Sequence, residues 1–301
     1  MSLIVSRDLY PFESHHLDLG GLKYHYVDEG AGDPVLMVHG NPTWSFYYRE
    51  LIKSLRGRAR CIAPDHIGCG LSDKPGDDRY SYTLGQRVDD LEALVDHLGI
   101  EERLTLVVHD WGGMIGMAMA ARRPERIARL IILNTAAFHL PSTRRFHWQL
   151  RAARDMKIGA FLVRRFNAFS AVAARVCVRR APLSPEVRAA YTAPYDTFDN
   201  RIATLRFVQD IPLGPSDPGY DIVSQTEATL PSFDDRPALI CWGGEDFVFD
   251  HHFLARWREL LPSAEVHEYP DCGHYVLEDA SAEIIAQVQG FLDRHPLPEP
   301  G

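Results

Sequence analysis

The sequence predicts a mostly parallel, doubly wound α/β sheet of eight strands, interrupted once by a helical insertion. Three observations predict it. Short runs that are apolar throughout, rather than alternating, suit parallel strands covered on both faces. These runs alternate with helix-length stretches, as a doubly wound sheet requires. The alternation stops for one long helical block and then resumes.

The elements follow in order. Around His15–Leu19 and Leu22–Asp28 two alternating segments read as an antiparallel pair joined at Gly20–Gly21. Pro34–Val38 is a buried strand, Trp44–Leu55 a helix and Arg58–Ala63 a strand. Thr83–Leu98 is a helix capped by Thr83 and stopped by Gly99. Leu104–His109 is a strand, Gly113–Arg123 a helix and Ile127–Leu133 a strand. From about Ala136 to Leu213 the pattern is helical: Ile158, Phe161, Leu162, Phe166, Phe169, Val172, Ala173 and Val176 recur at helical spacing. Strand and helix then return at Ala238–Trp242, Phe253–Leu261, Ala264–Tyr269 and Ala282–Leu292. The domain reading is a core in two parts, 1–135 and 214–301, with a helical cap over 136–213. Such a cap lies over the carboxyl edge of the sheet, where open α/β folds place their ligands.

Bulk properties remove several function classes. A net charge of −9 argues against nucleic acid as a partner, since phosphates need a clustered positive surface. The five cysteines, Cys61, Cys69, Cys177, Cys241 and Cys272, form no C-x-x-C, so neither a zinc site nor a disulfide framework is indicated. Reduced thiols in a cytoplasmic protein are the expectation. The longest apolar stretch, Leu106 to Ala121, contains His109, Asp110 and three glycines and does not read as a membrane span. Met1–Val5 is too short for a signal peptide's apolar region, and the proline-rich segment His295–Gly301 is expected to be disordered.

Chemistry concentrates at Leu104-Thr-Leu-Val-Val-His-Asp-Trp-Gly-Gly113, a strand, a tight turn and a helix, which is the setting of a nucleophile elbow. Asp110 stands at its apex. An aspartate is ionised at neutral pH and attacks without a base. Asp also caps helices, so this residue alone is ambiguous. Val38-His-Gly-Asn-Pro42 follows the third strand, where this fold supplies one oxyanion-hole N–H; the residue after the nucleophile, Trp111, supplies the other. His39 reads as structural. Ala238-Leu-Ile-Cys-Trp-Gly-Gly-Glu-Asp246 ends a strand in a loop with a carboxylate, and Cys272-Gly-His-Tyr275 places His274 before the last helix. The chain order nucleophile, acid, histidine assigns Asp246 to hold the His274 tautomer and His274 to activate water. Glu245, Asp250 and Asp271 rank below Asp246 as the acid.

The segments His39-Gly-Asn-Pro-Thr43, Pro64-Asp-His-Ile-Gly-Cys-Gly-Leu-Ser-Asp73 and Val108-His-Asp-Trp-Gly-Gly113 resemble the haloalkane dehalogenase-like branch of the α/β hydrolases, across nearly the whole chain. The resemblance implies that the Asn41 amide and the Trp111 indole N–H grip a departing group. Asn134-Thr-Ala-Ala-Phe138 offers no acid after the earlier strand, so Asp246 fits the third dehalogenase-like subfamily. That subfamily contains the β-lactone decarboxylases of long-chain olefin biosynthesis. Similarity to these extends through Phe166-Asn-Ala-Phe-Ser170, Ala193-Pro-Tyr-Asp196, Asn200-Arg-Ile202, Gln209-Asp-Ile-Pro-Leu213 and His274-Tyr-Val-Leu-Glu-Asp279.

The resemblance implies decarboxylation of a cis-β-lactone first, with Asp110 attacking either the carbonyl or the ring carbon. Haloalkane hydrolysis through an alkyl ester is the alternative. An epoxide hydrolase shares the elbow but needs an acid for the opening alkoxide, for which Tyr191, Tyr195 and Tyr220 are available; a non-catalytic receptor would be expected to lack a triad member. Neither the lactone nor the haloalkane route needs a metal or organic cofactor. The substrate is expected to be a small apolar molecule, with Phe161, Phe166, Phe169 and Phe207 as candidates for its channel. Residues 139–190 carry ten Arg and Lys157 against Asp155 and Glu186, a local +9 that leaves −18 for the remainder. This basic block is either a solvated face or a dock for an acidic partner protein or an anionic membrane. Oligomeric state is not legible.

Overall fold

In the computed structural model, residues 5–146 and 148–297 are described; part of the proline-rich tail, 298–301, and the first four residues lie outside them. The eight strands form one sheet in the order β1-β2-β4-β3-β5-β6-β7-β8. They are β1 (His15–Asp18), β2 (Lys23–Glu29), β3 (Pro34–Val38), β4 (Arg60–Pro64), β5 (Leu104–Asp110), β6 (Ile127–Thr135), β7 (Ala238–Gly243) and β8 (Glu265–Tyr269). The first two pair antiparallel, β2 runs antiparallel to β4, and every later pairing is parallel. The uniformly apolar runs are the central strands: all of β5 and β7 is buried, and so is β6 except for one residue. One core lies on each face of the sheet. Leu106, Val108, Ile132 and Ile240 point to one, while Val107, Ile131, Leu239 and Cys241 point to the other.

The helices are α1 (Arg49–Leu55), α2 (Leu84–His97), α3 (Trp111–Arg122), α4 (Trp148–Asp155), α5 (Lys157–Phe166), α6 (Ala168–Val176), α7 (Pro185–Thr192), α8 (Ile202–Gln209), α9 (Tyr220–Thr229), α10 (His251–Leu260), α11 (Val276–Asp279) and α12 (Ser281–Arg294). Thr83 caps α2 by accepting from the Gln86 N–H at 3.3 Å, and Gly99 ends the turn after it.

 Its φ is 65°, in the left-handed region that favours glycine.

Three sequence readings change. The Trp44–Leu55 helix begins as a 3₁₀ turn over Ser45–Tyr48, because tertiary bonds hold its start: the Ser45 N–H donates to Asp65 Oδ1 at 2.7 Å, and the Trp44 indole donates to the Ala190 carbonyl at 3.2 Å. The stretch 214–237, read as neither strand nor helix, contains α9, whose Val223 and Thr226 are buried. The apolar residues of 158–176 do lie on helices, broken at Asn167 in the left-handed region (φ +51), but many of them face solvent. Between β6 and β7 the described residues form helices and turns with no strand. No described helix is long and apolar enough to cross a membrane, and all five cysteines are free and buried.

Candidate active site

Asp110 is the last residue of β5 and the first flank of α3, at φ +53, ψ −127. A non-glycine residue at positive φ is strained and persists only where its surroundings hold it. Here they do. The Thr135 hydroxyl donates to the Asp110 carbonyl, and the Asn41 backbone N–H donates to Asp110 Oδ1 at 2.6 Å. Glycines clear the space: a Cβ on Gly40 would overlap the Asp110 carboxylate, one on Gly112 the Val38 carbonyl, and one on Gly113 the Thr135 hydroxyl. The elbow motif is therefore a packing requirement as well as a turn.

His274 lies in the loop between β8 and α11, and Asp246 in the loop after β7. His274 Nδ1 meets Asp246 Oδ2 at 2.8 Å, and its Nε2 stands 3.4 Å from Asp110 Oδ2. The three side chains are buried, and the sequence-predicted triad is assembled in space. Burial by itself would lower the His274 pKa; Asp246 foremost, with Asp110, outweighs it and raises the value to about 10. Burial would raise the Asp110 carboxyl, but the hydrogen bond and charge of His274 hold it below the usual carboxylate range. Both shifts favour a protonated His274 beside an ionised Asp110.

The other carboxylates considered for the acid are held by arginines elsewhere. Glu245 pairs with Arg179 at 3.4 Å, Asp250 with Arg144 at 2.5 Å and Asp271 with Arg180 at 2.9 Å. Asp250, His251 and His252 bring ligand atoms within 4.8 Å of one another, the grouping most suggestive of a metal among the described residues. Arg144 already holds Asp250, however, and Thr143 meets His252 Nδ1 at 2.9 Å.

Two supporting residues escaped the sequence reading. Asn134, at the end of β6, donates from Nδ2 to Asp246 Oδ2 at 3.0 Å and to the Gly243 carbonyl at 3.1 Å, while its Oδ1 accepts from the Gly243 N–H at 2.7 Å. It locks the acid's loop to the neighbouring strand. His109 stacks on Tyr47 at 4.3 Å between ring centroids, and its Nε2 lies 2.9 Å from the His274 carbonyl. Burial, then the His274 charge, pushes its pKa down to about 3, so it serves as a neutral hydrogen-bonding group. The available signal was a polar residue at the end of an otherwise apolar strand, which needs a partner when buried. His39 is structural: its Nδ1 lies 2.7 Å from the Gly40 carbonyl, and its Nε2 accepts from the His66 N–H at 3.0 Å.

Asp110, His274, Asn41 and Trp111 all line one cavity of about 640 Å³ beneath the inserted helices. The Asn41 Nδ2 donates to the Thr204 carbonyl at 3.1 Å, which fixes the amide at the cavity wall. Of the four phenylalanines proposed for the channel, only Phe169 lines it. Phe161 and Phe166 project into solvent, and Phe207 is buried behind Trp111, ring centroids 5.3 Å apart, with the Arg87 guanidinium 3.7 Å from its centroid. Helical spacing alone could not say which face of these helices turns inward. No tyrosine lines the cavity among the described residues. The Tyr191 hydroxyl donates to Glu278, Tyr195 approaches the Thr43 carbonyl at 3.4 Å, and Tyr220 stacks on His139.

Comparison with known proteins agrees with this architecture. Residues 33–281 match the alpha/beta hydrolase fold family. A cis-3-alkyl-4-alkyloxetan-2-one decarboxylase of Shewanella oneidensis is 59% identical, over 94% of this chain and 89% of its own length. A protein of the same name from Xanthomonas campestris pv. campestris is 49% identical, over 96% and 98%. The crystal structure of the haloalkane dehalogenase DatA from Agrobacterium tumefaciens C58 superposes with a TM-score of 0.84 at 26% identity, over 94% of this chain and 96% of that one. The chain belongs to the α/β-hydrolase-fold family, among enzymes like the haloalkane dehalogenases and the oxetan-2-one decarboxylases.

Proposed function

We propose that this enzyme converts a cis-3,4-dialkyl β-lactone into an alkene and carbon dioxide, with Asp110 as nucleophile. The observation that carries the reading is a buried, anionic carboxylate at a strained elbow, opening into a largely apolar cavity of about 640 Å³. The two decarboxylase relatives, 59% and 49% identical, supply the substrate class.

The carboxylate attacks the ring carbon that bears the ring oxygen. That carbon–oxygen bond breaks, strain is released, and the lactone becomes an ester of Asp110 carrying a free carboxylate. The bond to that carboxylate then breaks, its electron pair forms the alkene, and the ester oxygen leaves as the regenerated Asp110 carboxylate. Atoms and charge balance without water, metal or organic cofactor. Asn41 and Trp111 line the cavity, and in this reading their side-chain N–H groups receive the oxygen that leaves the ring. A donor of this kind is worth about 3 kcal/mol in the transition state. The His274 imidazolium offers a counter-charge to each carboxylate in turn.

Haloalkane hydrolysis is the second reading, favoured by the same Asn41 and Trp111 beside the cavity. In that reaction the alkyl ester neutralises Asp110, the raised His274 pKa falls, and the imidazole becomes a base for water. Epoxide opening lacks support, since no tyrosine lines the cavity among the described residues. The five free thiols favour a reducing compartment.

One preparation assayed with a cis-β-lactone, a bromoalkane and an epoxide tests the reading. Alkene from the first with negligible bromide from the second is the expected result; bromide release as the dominant turnover would transfer the assignment to the dehalogenase. Asp110→Asn should lower turnover by on the order of 10⁴-fold or more in a sample free of deamidation.

A further inference from the structure

All the large hydrophobic side chains that stand exposed among the described residues lie in the inserted segment 136–213, most of them on its helices. The densest group is on α5, where Ile158, Phe161, Leu162 and Phe166 follow one another at intervals that place them on a single face. That face is turned to solvent, while Val163 on the other side is buried. Phe161 and Phe166 meet edge to face, with centroids 6.1 Å apart. On α6, Val172 and Val176 are exposed and also line the cavity that leads to Asp110, so the apolar surface and the cavity wall are continuous.

The charge around this face is predominantly positive. Arg151, Lys157, Arg165 and Arg175 are exposed and form no ion pair among the described residues. By contrast, Arg154 and Arg164 are held by Asp217 and Asp199. The segment 139–190 carries +9 and the remainder of the chain −18. Exposed apolar side chains ringed by unpaired cations are the pattern of a helix that lies in a membrane interface. The negative remainder is repelled by the same surface, which orients the molecule with its inserted helices toward it.

We infer that α5 and the exposed edge of α6 dock on an anionic lipid surface, with the cavity delivered to the bilayer's apolar phase. A long-chain ligand that partitions into lipid then reaches the cavity past Val172 and Val176 without crossing water. The docking itself is independent of which reaction Asp110 performs.

Co-sedimentation of the full chain with phosphatidylglycerol/phosphatidylcholine vesicles tests this. Binding is expected at low salt, with little to pure phosphatidylcholine and a loss of tenfold or more at high salt. Phe161→Ser with Phe166→Ser should weaken partitioning by roughly 30-fold, and Arg165→Gln with Arg175→Gln by roughly 30-fold. Circular dichroism melts identical to the parent would exclude misfolding as the cause. No sedimentation at low salt, or equal sedimentation of parent and variants, would overturn the inference. So would a dimer, seen by analytical ultracentrifugation, that the Phe161→Ser/Phe166→Ser variant converts to monomer, because the face would then belong to a second copy.

Discussion

The carboxyl edge of the sheet and the helices laid over it treat their side chains in opposite ways. At the edge, Asp110, Asp246 and His274 are buried, and each is held by named partners. Gly40, Gly112 and Gly113 leave no room for a Cβ, so the backbone there has few alternatives. In the inserted helices, large apolar groups stand in water, and α5 and α6 meet at a left-handed asparagine. The contrast teaches where a motif is diagnostic. Steric exclusion between backbone segments tolerates few residues, and these are readable in sequence. A helix held by one buried edge tolerates many, and its function follows from what its other face meets.

Three measurements sharpen or break the contrast. The largest effect is expected at Asn134, the polar residue that ties the Asp246 loop to β6. Asn134→Ala removes two donated bonds and leaves the Gly243 N–H without its acceptor. It should cost about 1–3 kcal/mol in denaturant unfolding, with a fall in kcat greater than any change in KM. Unchanged stability together with unchanged kcat would mean that the edge is less tightly determined than its bonds imply.

The second concerns charge. His274 is raised in the fold, so its stabilising contribution is complete below its unfolded pKa of about 6.5 and is lost as pH rises toward about 10. Asp110 is lowered, so its contribution is present above its unfolded value and is lost in acid. The unfolding free energy of the parent, measured relative to His274→Phe, should therefore fall between about pH 6.5 and about 10. A difference that stays flat across that window would remove the imidazolium from the resting site.

The smallest effects belong to the inserted helices. Phe169→Ala, which enlarges the cavity, should raise KM by roughly tenfold, as expected for about 1.4 kcal/mol of lost apolar burial. Phe166→Ala should leave turnover of a water-soluble substrate unchanged and stability within about 0.5 kcal/mol. Equal effects of the two substitutions would erase the distinction between the cavity wall and the outer face.

By itself the sequence determined the sheet, the elbow and which three side chains, Asp110, Asp246 and His274, meet there. Uniform apolar runs have one stable setting, as central parallel strands, and His-Asp-Trp-Gly-Gly permits few backbones around Asp110. The order of nucleophile, acid and histidine followed from which strand each loop ended. Only the tertiary structure decided the supporting bonds and the orientation of the inserted helices. Asn134 could be seen to lack a carboxylate, yet its bonds to Asp246 and Gly243 join residues more than a hundred positions apart. Phe169 and Phe166 occupy similar positions in a helical pattern, and one lines the cavity while the other faces solvent. Periodicity reports that a stripe exists; which neighbour covers it depends on long-range packing, which no local pattern encodes.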